Sequence, residues 1–233
     1  MIERSVSMIM PVYDEEDNIR QVVGSSLETL ARVTDRFEVI LVDDGSIDST
    51  PVIIDRLAAA DNQRIKVIHH ARNKGYGAAL ISGVKISKFD LILFMDADRQ
   101  YDINDIEKLV PYIDVYDIVT GYRLDRRDSL YRILLGQSYN LIINSLFGIK
   151  TKDINCGLKL FKKSVFEKME IESSGALFYA EILSKNKNFK EVGVNHYPRR
   201  RGHGKATKPK AVIKAVVELF CIWQKMIRLH RIK

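Results

Sequence analysis

Five short apolar runs, each closed by a turn and followed by a helical pattern, constrain this chain more than any other feature. Val6–Met10 stops at Pro11, and Phe37–Val42 runs into Asp43-Asp44-Gly45-Ser46. Ile65–His69, Leu91–Met95 and Asp117–Gly121 follow. Between them, Glu15 to Ala31 places Ile19, Val22, Val23, Leu27 and Leu30 at helical spacing. Thr50-Pro51 opens a helix to about Ala60, with proline in the first turn, where its missing N–H is harmless. Gly75 to Lys88 and Ile103–Ile113 also read as helices. Strands that are apolar throughout, rather than alternating, are buried on both faces. The pattern therefore predicts an α/β fold, a mostly parallel sheet with helices on both faces. Beyond Arg123 the rhythm loosens. Ser129 to Phe147 is a long helix, Leu158–Phe161 a strand, Ser174–Lys185 a helix and Lys190–Asn195 a strand. A Pro/Gly/Arg loop from Tyr197 leads to a last helix, Lys210 to about His230. At 233 residues the chain fits one core domain, residues 1–205, with an appended basic amphipathic helix, residues 206–233.

The charge is concentrated at one end. From Arg199 to Lys233 eleven Lys and Arg face a single acid, Glu218, so this tail is +10 and residues 1–198 sum to −3. Such a tail implies an anionic partner, whether phosphate ligands, nucleic acid or an anionic bilayer. No helix-turn-helix, zinc or RNP pattern accompanies it, which argues against nucleic-acid binding. The best candidate for a membrane span, Ala211 to Trp223, is too short and carries Lys214 and Glu218. It suits an interfacial helix, with Phe220 and Trp223 inward and Lys225, Arg228, Arg231 and Lys233 on headgroups, or docking on the body of the protein. The first residues lead straight into a strand with no secretory pattern. Cys156 and Cys221 suit free thiols in a reducing compartment.

In parallel sheets ligands bind beyond the carboxyl ends of the strands. The turns at those ends therefore carry the chemistry. Asp96-Ala97-Asp98-Arg99-Gln100 follows the fourth run, and alternate residues of an extended chain point the same way. Asp96, Asp98 and Gln100 thus present oxygens on one side, as Mg²⁺ or Mn²⁺ requires when it bridges protein and diphosphate. Asp44, and less strongly Asp43, would accept hydrogen bonds from a nucleobase or ribose, whereas Asp48 or Ser49 reads as a helix cap. Tyr13 can pack on a base and Glu15 bond a ribose hydroxyl. Asn73-x-Gly75-x-Gly77 lets backbone approach a ligand, but lacks the full dinucleotide spacing, which argues against a dehydrogenase. A nucleotidyltransferase would need a Gly-rich basic loop near its start, and there is none.

Together, PVYDEE, VDDGSIDST, NKGYGAA and DADRQ, in this order, resemble the family 2 glycosyltransferases of the Rossmann-like GT-A fold. Within that family the chain is most similar to dolichyl-phosphate mannose synthases and related polyprenyl-phosphate glycosyltransferases. The resemblance implies a nucleotide pocket at Pro11, Tyr13, Glu15, Val42 and Asp44. It implies a metal–diphosphate motif at Asp96, Ala97, Asp98 and Gln100. It also implies that Arg123 and Arg132 hold an acceptor phosphate, and that Arg199, Arg201 and Lys205 meet the donor's diphosphate. The sequence departs from the pattern at Gly136 and Gly204, where those enzymes usually carry Ser.

The chemistry follows from the residue types as well. Guanidinium forks fit phosphate oxygens, and two clusters, at 123–132 and 199–205, suit two phosphate groups. A phosphate acceptor is already anionic and needs no general base. The expected reaction is an inverting, metal-dependent transfer of a hexose from a GDP- or UDP-sugar to a polyprenyl (dolichyl-type) phosphate. The enzyme would sit peripherally on the cytoplasmic face of a membrane. The alternative is a hydroxyl acceptor, which needs a carboxylate base. Glu181 fits either that role or a capping one. His196 and His203 are not expected to bind metal, and His69 and His70 are expected as strand-end residues.

Overall fold

The computed structural model describes residues 4–124, 130–175 and 177–199. Strands β1 (Val6–Val12), β2 (Phe37–Asp43), β3 (Ile65–His69), β4 (Leu91–Phe94), β5 (Ile118–Arg123), β6 (Lys159–Lys162) and β7 (Phe189–Val194) form one sheet in the order β3-β2-β1-β4-β6-β5-β7. β1, β2, β3 and β4 are mutually parallel; β6 is antiparallel to both β4 and β5, and β7 is parallel to β5. Six strands thus end at one edge of the sheet, and β6 begins there. The mostly parallel α/β architecture expected from the apolar runs is the one observed. The antiparallel insertion of β6 was not legible, because a four-residue strand reads the same in either direction.

Side chains alternate across the sheet. Met8, Met10, Val39, Leu41, Leu91 and Leu93 face one layer, built from α1 (Ile19–Val33), α2 (Thr50–Ala60) and the segment around α4 (Ile106–Leu109). Ile9, Ile40, Val42, Ile92 and Phe94 face the other, built from α3 (Tyr76–Ile86), α5 (Leu130–Phe147) and α7 (Phe178–Lys185). A short α6 (Ser164–Glu167) follows β6. Both faces of each central strand are covered, which is why these strands read as continuous apolar runs.

The helix expected over Ile103–Ile113 is broken. Two 3₁₀ turns, Ile103–Asp105 and Val110–Tyr112, flank the single turn of α4. Pro111 removes an amide donor near its end, and Asp102 caps its start through the Asn104 amide. The appended helix of residues 206–233, with Arg201, Lys205, His203, Cys221 and the side chain of Arg132, lies outside the described residues.

Candidate active site

The sheet reverses direction of strand order at β1, flanked by β2 on one side and β4 on the other. A crevice opens at such a switch point. Pro11 helps to open it: β4 pairs with β1 only as far as Ile9, and Pro11 beyond it has no N–H to extend the ladder.

The turns after β1 and β2 are laced together above this crevice. The Asp14 amide donates to Ser46 Oγ at 2.9 Å, and Asp14 Oδ1 accepts from the Ile47 amide at 2.9 Å. The Glu15 amide donates to Thr50 Oγ1 at 2.9 Å, and the Ser49 amide to Glu16 Oε2 at 3.0 Å. Asp14, at φ 49°, and Arg99, at φ 63°, are the non-glycine residues with left-handed backbones among the described residues. Both border the crevice, and conformations of this cost persist where surrounding structure enforces them.

Asp44 has several partners within the protein. Its Oδ1 meets His70 Nδ1 at 2.7 Å and the Lys74 amide at 2.8 Å, and its Oδ2 accepts from the Gly75 amide at 2.8 Å. Asp44 therefore ties down the Asn73–Gly75 turn, where Gly75 at φ 104° adopts a backbone that other residues resist. Asp43 accepts from the Ser46 amide at 2.9 Å and lies 2.9 Å from His69 Nδ1. Val42 is fully buried under α3 and paired in the sheet between Pro11 and Ile68. Its side chain belongs to the core. Ala97 is buried as well. Tyr13 stays half-buried beside Asp14, Asp44 and Asp48; burial first, then these carboxylates, push its hydroxyl pKa up.

The Asp96–Gln100 segment leaves β4 beside this turn cluster. The Asp96 carboxyl is pushed up to about 7, by burial first and then by the charge of Asp98. Tyr76 Oη donates to Asp96 Oδ1 at 2.7 Å. Gln100 is buried, and its amide nitrogen donates to the Tyr197 carbonyl at 3.1 Å, while the Tyr197 amide donates to the Gln100 carbonyl at 2.8 Å. With the Tyr101–His196 bridge, these bonds run the 195–199 segment alongside 100–102. Gln100 is thus engaged in holding that segment. The segment in turn brings Arg199 into the crevice, where it pairs with Glu15 Oε1 and lies 3.8 Å from Asp98 Oδ2.

Among the described residues no group of three or more His, Cys, Asp or Glu could hold a metal ion alone. The carboxylates of Asp96 and Asp98, two residues apart just beyond the end of β4, nevertheless fit a cation that takes its remaining ligands from water and diphosphate. This is the habit of Mg²⁺ and Mn²⁺.

Arg123, at the end of β5, has a protein partner that its motif does not reveal. Its Nε and Nη2 bond Asp153 Oδ2 and Oδ1 at 2.6 and 2.8 Å, a bidentate pair 30 residues apart. Glu181 accepts from the Glu172 and Ser173 amides at 3.0 and 2.8 Å and from Lys185 Nζ at 2.7 Å. These bonds cap the turn at residues 172–173, which is the capping role of the two left open for it.

Residues 7–170 match the Glycosyl transferase family 2. The chain belongs to this family. It is 27% identical over 206 residues to the dodecaprenyl-phosphate galacturonate synthase of Rhizobium johnstonii, covering 86% of this chain and 61% of that protein. It is 30% identical over 203 residues to the undecaprenyl-phosphate 4-deoxy-4-formamido-L-arabinose transferase of Edwardsiella ictaluri, covering 86% and 62%. The chain therefore spans about three fifths of the length of these two curated relatives. Among solved structures, a glucosyl-3-phosphoglycerate synthase from Mycobacterium tuberculosis superimposes with a TM-score of 0.65 at 17% identity, over 85% of this chain and 73% of that one. That enzyme was crystallised with Mn²⁺, uridine diphosphate and glucosyl-3-phosphoglycerate. The likeness establishes the GT-A fold of this family 2 chain.

Several residues beside the candidate site escaped the sequence reading. Asp153 and Gly157 sit in the turn before β6, and a β-carbon on Gly157 would overlap the Asp96 carboxylate. Tyr179 lies on α7, with its hydroxyl 2.8 Å from that of Tyr76. Lys159, fully buried in β6, bonds Thr120 Oγ1 and stands 4.5 Å from the Tyr179 ring centre. The Asp153–Cys156–Gly157 stretch was a detectable signal: polar and glycine residues beside a short strand, outside the motifs already found.

Proposed function

We propose that this chain transfers a sugar from a nucleotide-diphosphate sugar to a polyprenyl phosphate, in a reaction that needs a divalent cation. The observation that carries the proposal is the meeting of Arg199, Glu15 and Asp98 at the switch point of the sheet. A cationic fork beside a carboxylate pair is what a diphosphate with a bound cation requires. The names of the curated relatives, each a transferase to a polyprenyl phosphate, support the acceptor.

In this reading Asp98 and Asp96 would hold Mg²⁺ or Mn²⁺, with Gln100 fixing the segment. When bound, the cation supplies charge neutralisation at the leaving diphosphate. Arg199, with Arg201 and Lys205, would take up negative charge as the nucleoside diphosphate departs. Tyr13 and Glu15, on turns tied by Asp44, would line the nucleoside side, whether uridine or guanosine. Arg123 and Arg132 would orient the acceptor phosphate. Arg123 keeps one face of its guanidinium on Asp153, which fixes the other for an anion. Direct attack by the phosphate oxygen inverts the anomeric centre. A hydroxyl acceptor is disfavoured, since Glu181, the base assigned to it, is occupied by loop amides.

Contact with a membrane surface, expected of the cytoplasmic face, is supported by α5. Leu130, Leu134 and Leu141 are 79%, 62% and 69% exposed, one stripe along the helix. No helix among the described residues is long and apolar enough to cross a membrane.

The test is transfer of labelled hexose from UDP- and GDP-sugars to polyprenyl phosphate with Mg²⁺ or Mn²⁺, followed by solvent extraction. Label should enter the lipid phase with the parent chain and not with Asp98→Ala. Label found only on water-soluble sugars would overturn the acceptor, and full activity of Asp98→Ala would overturn the cation site.

A further inference from the structure

The Asp96 carboxylate is enclosed on two sides by residues outside the DADRQ motif. On one side Tyr76, the first residue of α3, donates to Oδ1 at 2.7 Å. Its hydroxyl lies 2.8 Å from that of Tyr179, so with Tyr76's proton directed to Asp96 the second hydroxyl donates to the first. The two rings meet edge to face at 5.8 Å, which fixes them against one another. Lys159 Nζ stands over the Tyr179 ring, 4.5 Å from its centre. On the other side of the carboxylate Gly157 leaves room for the Asp96 oxygens and nothing more.

A carboxylate attached to a strand end by one side chain has a rotatable Cβ–Cγ bond. Here one oxygen is held by a two-hydroxyl donor chain, and Gly157 stands so close that a β-carbon on it would overlap the carboxylate. Partners that orient a ligating group in this way typically govern metal affinity about 10–100-fold without touching the metal. From these contacts we infer that Tyr76, braced by Tyr179, is a positioning residue for the divalent-cation site, setting the angle at which Asp96 meets the ion. The inference rests on the cation reading of Asp96 and Asp98 given above. It adds residues from α3 and α7, two elements that no part of the motif includes.

The experiment uses the full chain and Mn²⁺ alone, with no nucleotide or acceptor, followed by electron paramagnetic resonance titration. Tyr76→Phe removes one oxygen and keeps the ring in its packing. It should bind Mn²⁺ about tenfold more weakly than the parent, with a changed line shape for the bound ion. Tyr179→Phe should act in the same direction and less strongly. The double variant should fall short of the product of the two effects, because the hydroxyls work as one chain. Asp98→Ala separates the two levels of the argument. If Asp98→Ala abolishes Mn²⁺ binding while Tyr76→Phe binds like the parent, the positioning role is wrong and the cation site stands. If Asp98→Ala itself binds Mn²⁺ unchanged, the cation site and the role built on it both fall. Should Tyr76→Phe not fold, Tyr179→Phe carries the test by the same criterion, since parent-like affinity there also overturns the brace.

Discussion

Gly157 has no side chain because Asp96 fills the space where one would stand. Gly157→Ala should therefore displace the carboxylate. Mn²⁺ affinity is expected to fall at least about tenfold, and overpacking to cost about 1–3 kcal/mol of folding stability. Metal titration and denaturant unfolding measure the two separately, and parent-like metal binding would contradict the placement. A second residue-scale prediction concerns His69. Burial opposes its protonation, but hydrogen bonds donated by the ring to Asp43 and Asp55 outweigh that, so its pKa is raised from the ordinary value of 6.5. The folded state thus favours the protonated ring. Its stabilisation is present in full below the unfolded pKa and is lost as pH rises through the higher folded value. His69→Gln should lower stability at about pH 5.5 and make much less difference at about pH 9. A destabilisation that grew with pH would reverse the sign of the argument.

Among the elements, α5 combines two faces with different fates. Ile143 and Phe147 pack into the core under the sheet, while Leu130, Tyr131, Leu134, Leu141 and Ile142 stay exposed. A run that is apolar around its circumference reads as a buried helix, and only packing shows which stripe is left over. Leu134→Glu with Leu141→Glu should abolish flotation of the chain with anionic phospholipid vesicles. Stability should shift by no more than about 0.5 kcal/mol per exposed site. Vesicle binding that survives both changes would remove α5 from the membrane contact. The expected C-terminal interfacial helix, residues 206–233, is a separate proposal and is tested by its own truncation.

Across the whole molecule, the site depends on a strand-like segment that comes last among the described residues. Asp105 accepts from the Asn195 amide and from Asn195 Nδ2, the latter at 3.0 Å, and so fixes residues 195–199 beside 100–102. Asp105→Ala leaves every proposed ligand contact in place in the sequence. It is nevertheless expected to weaken UDP- or GDP-sugar binding several-fold, since Arg199 loses its support. Calorimetry on the variant decides this, and donor affinity equal to the parent's would count against it.

Periodicity and turn chemistry by themselves determined the alternating strands and helices, the covered, mostly parallel sheet, the edge at which the candidate site lies and the acidic turn at 96–100. These are local properties: burial on two faces shows in composition, and carboxylates after a strand keep a common side. The family resemblance, and not local pattern, assigned Arg199 to the donor's diphosphate; in the structure it lies beside Glu15 and Asp98. Only the tertiary structure decided partners. Asp153 neutralises Arg123 from 30 residues away, Asp44 turns inward to His70 and the Asn73–Gly75 amides, and Glu181 caps a turn. Tyr76, Tyr179 and Gly157 close around Asp96 from three separate elements. A charged or hydroxylated side chain advertises its chemistry in sequence. What satisfies it is fixed only when distant strands and loops are folded to within about 3 Å of one another.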